Sequence, residues 1–324
     1  MRRYQQSQAS FPTERQLWTR RPSWGGWKRC EYFPEIWSLR QNWIDDKLKT
    51  KRLAIEHGIA VPDLYGVVEV EGQVRTLGKI LQGHQDFVIK PSHGSGGEGI
   101  LVIADRIHNK YRKPDGRTLS QEQLSYHVFR VLAGLYSLGG QPDSALIEYW
   151  VKCEPAFNNV TYQGVPDVRI IVFLGVPVMA MIRLPTRMSD GKANLHQGAL
   201  GAGIDLAQGR TLTAVWGQET VSVHPDTGQS VVGIQIPFWS TLLELAAKCS
   251  EITGLGYQGV DIVLDRDRGP LILELNARPG LNIQIANRSG LIPRLNLVEE
   301  EHKNLRTLSE RVHFARHHFG AKEQ

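Results

Sequence analysis

Apolar positions along this chain switch between two spacings, and the switches mark out the elements. Over 45–58, DDKLKTKRLAIEHG, the residues Leu48, Leu53 and Ile55 supply an apolar stripe, Asp45 or Asp46 can cap the start and Gly58 can end it, which predicts a helix. Short apolar runs bounded by turn residues predict strands at about 65–70, 86–90 and 100–104, followed by a polar loop over 106–117. The segment SQEQ at 120–123 has the capping-box pattern and opens a helix that runs toward Gly139 and Gly140. Strands follow at about 144–151, 167–174 and 177–184. The polar, glycine-rich segment 186–203 is too long for a simple turn and is a candidate functional loop. A helix over 238–253 precedes strands at 257–265 and 271–276, and Glu299–His318 predicts a charged terminal helix. The order lacks regular βα alternation, so the predicted class is α+β with mostly antiparallel strands.

The segment 86–100, DFVIKPSHGSGGEGI, changes the picture from fold to chemistry. A strand of Phe87, Val88 and Ile89 delivers Lys90, and Gly94, Gly96, Gly97 and Gly99 follow within six residues. Glycines let several backbone N–H groups turn into one concavity, and a cation beside it suits nucleotide phosphates. A Walker loop needs Lys-Ser or Lys-Thr after its last glycine, whereas Gly99 is followed by Ile100. A dinucleotide fingerprint opens a helix, whereas 100–104 reads as a second strand. A hairpin lid over phosphates remains, with a solvated flexible loop as the alternative.

A second set lies near the C-terminus, in GYQGVDIVLDRDRGPLILELNARPG. With Asp265 opposite Pro270 across the turn, Asp261 falls opposite Glu274, and Asn276 shares that face by strand alternation. Two carboxylates and an amide inside apolar strands need compensation, which a hard divalent cation supplies through oxygen ligands.

Composition limits the alternatives. Three cysteines (Cys30, Cys153, Cys249) without metal-like spacing read as reduced thiols of a cytoplasmic protein. No apolar run approaches the length of a membrane span, and no signal-peptide h-region follows the first basic residues. The formal net charge of +5 sits in residues 1–31, and Trp18, Trp24, Trp27, Trp37 and Trp43 give this arm or its edge five of the eight tryptophans. Such an arm either packs its tryptophans on the main domain or meets an acidic protein, an anionic lipid or nucleic acid; nucleic acid is the least expected partner.

A glycine-rich hairpin behind a strand lysine, combined with an Asp…Glu-x-Asn hairpin, resembles the ATP-grasp superfamily, most closely its alpha-L-glutamate ligase-like, RimK-related branch. The resemblance covers roughly residues 45–298. It implies two α+β lobes with mostly antiparallel sheets enclosing ATP, a smaller one of about 60–146 and a larger one of about 147–298. Residues 1–44 would be a basic arm and 299–324 a charged terminal helix. It further implies that Lys47, after Asp46, and Lys90 hold phosphates while Ser92, Gly94, Ser95, Gly96, Gly97, Glu98 and Gly99 close as a lid. LIEYWVKCE at 146–154 matches the interlobe strand, which implies adenine contacts from Glu148, Tyr149, Trp150 and Val151 and ribose contacts from Glu154.

By the same resemblance, Arg169 and Arg183 would neutralise a transferring phosphoryl group. Asn194 and His196 would be catalytic residues of the Asn-Leu-His-x-Gly loop, His196 positioning the acceptor, carrying a proton or serving only the structure, and Asp261, Glu274 and Asn276 would hold Mg²⁺ or Mn²⁺. The implied reaction is ATP-dependent carboxylate–amine ligation through an acyl-phosphate, adding an amino acid such as glutamate to a peptide, protein or small-molecule acceptor. A phosphotransferase or a non-catalytic nucleotide-binding protein shares the same ATP side. Only about 44 residues precede Asp45, too few for the N-terminal domain many such ligases carry. The acceptor pocket is then expected from the arm, from 186–203, from a second subunit or partner, or from a macromolecular substrate.

Overall fold

The computed structural model describes residues 46–94 and 96–321; the basic arm, Asp45 and Ser95 lie outside the described residues. Helix α1 (Lys47–Glu56) is capped by Asp46, whose carboxylate accepts from the N–H groups of Leu48 at 3.0 Å and Lys49 at 3.2 Å. There follow β1 (Leu64–Val68), a short α2 (Leu77–Ile80), β2 (Phe87–Pro91), β3 (Leu101–Ile103), β4 (Asp105–Ile107), β5 (Lys110–Arg112) and β6 (Thr118–Leu119). Helix α3 (Gln121–Leu132) and β7 (Ala145–Glu148) complete a four-stranded antiparallel sheet of order β1-β7-β2-β3, with β4-β5-β6 beside it. Phe87, Ile89, Ile103 and Ile147 of this sheet pack with Leu124, Val128 and Val131 of α3 in one apolar cluster.

The second half carries β8 (Asp167–Phe173), β9 (Val176–Leu184), β10 (Leu200–Ile204), β11 (Thr211–Trp216), β12 (Glu219–Val221), α4 (Trp239–Thr253), β13 (Tyr257–Asp265) and β14 (Gly269–Asn276). Its antiparallel sheet runs β12-β11-β10-β9-β8-β13-β14. Helix α4 buries Leu242, Leu243, Ala246 and Ala247 against β8, β9 and β13 in the larger apolar core. Helices α5 (Asn282–Ala286), α6 (Ile292–Glu301) and α7 (Leu308–Phe319) close the fold. The α+β class with antiparallel sheets is as predicted. No helix among the described residues is long and apolar enough to cross a membrane.

Four differences from the sequence reading have local causes. The predicted terminal helix 299–318 is two helices, because Thr307 and Glu310 form a capping box that starts α7 afresh. The helix from 121 stops at Leu132, since Gly134 turns back at φ +76, where a Cβ would lie 2.2 Å from the Gln141 carbonyl oxygen. The loop foreseen over 106–117 contains most of the β4–β5 hairpin, paired from Asp105 opposite Arg112. The loop foreseen over 186–203 ends inside β10, whose Gly203 lies so close to the α5 end that a Cβ would stand 2.5 Å from Ala286 O.

The β13–β14 hairpin is offset from prediction at its turn and agrees with it at the candidate site. Asp265 pairs with Gly269, not Pro270, and Ile262 pairs with Ile272. The register then shifts, leaving Leu273 as an extra residue, and Asp261 stands opposite Glu274 and Gly259 opposite Asn276.

Candidate active site

Adjacent strands β9, β8 and β13 bring four charges together. Asp167 is paired with Arg183 across β8–β9, and Asp261 with Arg169 across β13–β8. Arg169 donates from Nε and Nη2 to the two oxygens of Asp261, each at 2.7 Å. Arg183 forks onto both oxygens of Asp167 and also reaches Asp261 Oδ2 at 2.8 Å. Asn276 Nδ2 adds a fourth donor to Asp261 at 3.1 Å. Burial raises the Asp167 carboxyl to about 6 against the pull of Arg183. Burial works the same way on Asp261, but Arg169 and Arg183 overcome it and hold that carboxyl below the usual range.

Lys47 connects this hairpin to the glycine segment. Its ammonium donates to the Gly94 carbonyl and lies 3.1 Å from Glu274 Oε1. Glu274 and Asn276 are half-buried, while Asp261 is buried. The oxygen-bearing set Asp261, Glu274 and Asn276 fits a hard divalent cation by chemistry. Asp261 would share its oxygens with arginines, and no group of three His, Cys, Asp or Glu side chains among the described residues is placed to hold a metal.

The glycine segment is pinned where it leaves β2. Ser92 Oγ donates to Asp46 Oδ1 at 2.7 Å, Ser92 N–H donates to Ser144 O at 2.9 Å, and Lys47 N–H donates to Ser92 O at 3.2 Å. His93 follows, with its N–H 3.0 Å and its ring Nδ1 2.8 Å from the buried Asp143 carboxylate. Gly94 bridges to Ser137. Gly96, Gly97 and Gly99 all take positive φ (65, 77 and 73°), and Gly99 packs so tightly that a Cβ would lie 2.5 Å from the Tyr136 ring. Glu98 is exposed.

The segment 186–203 meets this loop. Asn194 Nδ2 donates to Gly96 O at 3.3 Å, and the Lys192 side chain packs beside Gly97. Asn194 also caps the turn Leu195–Gln197, accepting from His196 N–H at 3.0 Å, while the His196 residue is exposed.

Glu148 ends β7 in the interior, with Oε1 on the Lys90 ammonium and Oε2 2.8 Å from that of Lys51. Burial alone would raise its carboxyl; Lys90 and Lys51 lower it instead. The adjoining Tyr149 N–H is taken by Asp63 O at 2.9 Å, and Trp150 stacks under the Lys152 ammonium, 3.7 Å from the ring centre. Val151 is buried beside Val263 and Leu271, and Glu154 caps the turn Pro155–Val160.

The structure thus adds Lys51, Asp167, His93 and Asp143 to the residues foreseen. Lys51 had a signal, since it follows Lys47 by four and shares its helix face. Asp167 stood two residues before Arg169, but nothing in the sequence marked it as the partner of Arg183.

The chain is similar to several known proteins. Two curated relatives are a probable alpha-L-glutamate ligase of Citrobacter koseri (strain ATCC BAA-895 / CDC 4225-83 / SGSC4696), 24% identical over 236 residues, and a ribosomal protein bS6–L-glutamate ligase of Shigella boydii serotype 4 (strain Sb227), 25% identical over 236 residues. Each match covers 73% of this chain, and the chain spans 56% of the length of each relative. Among solved structures, D-cycloserine synthetase is 18% identical with a TM-score of 0.44, covering 80% of this chain and 71% of that one. The D-alanine–D-alanine ligase of Bacillus anthracis, complexed with ATP, is 13% identical with a TM-score of 0.45, covering 83% and 69%. The sequence model of one family, described as sugar-transfer associated ATP-grasp, matches residues 30–300, and the chain belongs to that family.

Proposed function

We propose that this protein is an ATP- and Mg²⁺-dependent carboxylate–amine ligase, adding an amino acid such as glutamate to a peptide, protein or small-molecule amine. The observation that carries the reading is the position of Lys47, which touches both the Gly94 carbonyl and Glu274. One cation thereby joins the glycine loop to the carboxylate hairpin. The similarity to glutamate ligases supports the substrate class.

In this reading the nucleotide lies between the lobes of about 60–146 and 147–298. Lys47, Lys90 and the N–H groups of 92–99 bind its phosphates, Trp150 and Val151 border the adenine, and Glu154 meets the ribose. A substrate carboxylate oxygen attacks the γ-phosphorus, the bond to the β,γ-bridging oxygen breaks, and ADP departs. The amine then attacks the acyl carbon and phosphate leaves. Arg169 and Arg183 offset charge on the phosphoryl oxygens as they develop. Asn194 and His196 hold the acceptor at the mouth of the loop, which shields the acyl-phosphate from water. Asp261, Glu274 and Asn276 would hold Mg²⁺, which supplies charge neutralisation on phosphate oxygens when bound.

The test is ADP release in the presence and absence of a carboxylate and an amine, with the product mass recorded. Turnover that needs both, with loss of water between the two substrates, is expected. An added phosphate on a single acceptor would instead identify a phosphotransferase. Glu274→Ala should lower turnover by more than ~100-fold with the fold intact by circular dichroism; unchanged ATP consumption would remove the hairpin from the site.

A further inference from the structure

We propose that Lys51 is a positioning residue that occupies Glu148 and so leaves Lys90 with positive charge to spare for the nucleotide phosphates. The inference rests on the ATP reading above and adds a residue that the reading does not use. Its basis is a buried cluster of two ammonium groups and one carboxylate. Lys51, Lys90 and Glu148 are each at most 5% exposed. Lys51 Nζ sits between Pro62 O at 2.6 Å and Glu148 Oε2 at 2.8 Å, and the other oxygen of Glu148 receives Lys90.

Charge counting gives this cluster its meaning. Glu148 and Lys90 alone would form a closed, neutral pair, and a neutral pair has little attraction for phosphate. With Lys51 the same interior site carries a net +1, which is costly in the absence of an anion and favourable with one. Lys90 stands at the end of β2, two residues before Ser92, where the glycine loop begins, so the excess charge is placed at the base of that loop. Lys51 is directed by α1, one turn after Lys47, and thus the helix sends one lysine to the loop and hairpin and the next to the counter-ion. The groups facing Lys51 are Glu148 from β7, Lys90 from β2 and Asp63 from the segment after α1. Burial pushes the Lys51 ammonium down to about 8, so its charge is removable at moderately alkaline pH.

The experiment measures binding of ADP with MgCl₂, and of adenosine, to the full chain by isothermal titration calorimetry at pH 7 and pH 9. Lys51→Met should weaken ADP binding by about tenfold or more at pH 7 and change adenosine binding by less than about twofold. Wild-type affinity for ADP should fall between pH 7 and 9, and that of Lys51→Met should not. Adding Glu148→Gln to Lys51→Met restores the net +1 and should recover most of the loss. A purely structural lysine predicts that the double variant is no better than the single one, and that result would overturn the proposal. Wild type that bound neither ADP nor ATP would instead sink the ATP reading itself, and this inference with it.

Discussion

The Lys51–Glu148–Lys90 cluster, drawn from helix α1 and strands β7 and β2, and the Arg169–Asp261–Arg183–Asp167 cluster, drawn from three strands of the larger sheet, both bury their carboxylates, yet they differ in balance and in the kind of cation. The first sets two ammonium groups against one carboxylate. The second sets two guanidinium groups against two carboxylates, with both oxygens of each aspartate engaged by planar forks. Lysine is a compact charge on a flexible stem that loses its proton readily when buried, whereas arginine keeps its charge and fixes direction. The balanced cluster therefore holds its groups in fixed directions across three strands with no ligand bound, while the unbalanced one keeps a net charge that only an anion can offset.

Breaking the balanced cluster should have the largest effect. Arg183→Met leaves Asp167 buried without the guanidinium that forks onto it and strips one donor from Asp261, so we expect a loss of about 3–5 kcal/mol in urea unfolding. A loss under about 1 kcal/mol would mean that the carboxylates do not depend on Arg183 for their burial.

The unbalanced cluster predicts a pH dependence of stability with a definite sign. Unfolded Lys51 keeps its ordinary value of 10.5, and folding lowers it to about 8. Between those values the unfolded chain binds the extra proton, so stability rises with pH. The cost of burying the Lys51 charge is complete below about pH 8 and gone above about pH 10.5. Relative to Lys51→Met, wild type should gain on the order of 1–3 kcal/mol across that window. Parallel stability curves for the two proteins would show that Lys51 does not titrate there.

The smallest effect sharpens the contrast with exposed contacts. Asn194→Ala removes the cap of a single turn and the 3.3 Å bond to Gly96, and should cost about 0.5–1 kcal/mol. A larger loss would show that the meeting of the two loops, not only the buried charges, holds this region together.

Much of the candidate site was legible because strand alternation is strict. Glu274 and Asn276 could be placed on one face by alternation, whereas Asp261 met Glu274 as foreseen because the shift at Leu273 offsets a turn one residue shorter than predicted; the glycine loop stood out because its glycines follow a lysine at a strand end. What could not be read was partnership across distance. Lys51 was one of several basic residues in α1 until folding set it against Glu148. Asp167 gained its role only when β8 and β9 brought it to Arg183. The strands β10–β12 were hidden for a different reason: Leu200-Gly-Ala-Gly-Ile204 has weak strand character, and its glycines are explained by the close approach of Leu195 and Ala286. The α6–α7 break was written in the sequence as Thr307 and Glu310, a cap masked by the charged run around it.

The extra residue Leu273 decides on which side of the sheet the candidate chemistry emerges. Carried forward without the register shift, the pairing that starts at Asp265 and Gly269 would set Asp261 against Leu273 and turn Glu274 to the opposite surface. Lys47 would then face a leucine in place of a carboxylate. The one-residue register shift thus acts as the parity bit of the hairpin, and the length of the 266–268 turn is meaningful only together with it.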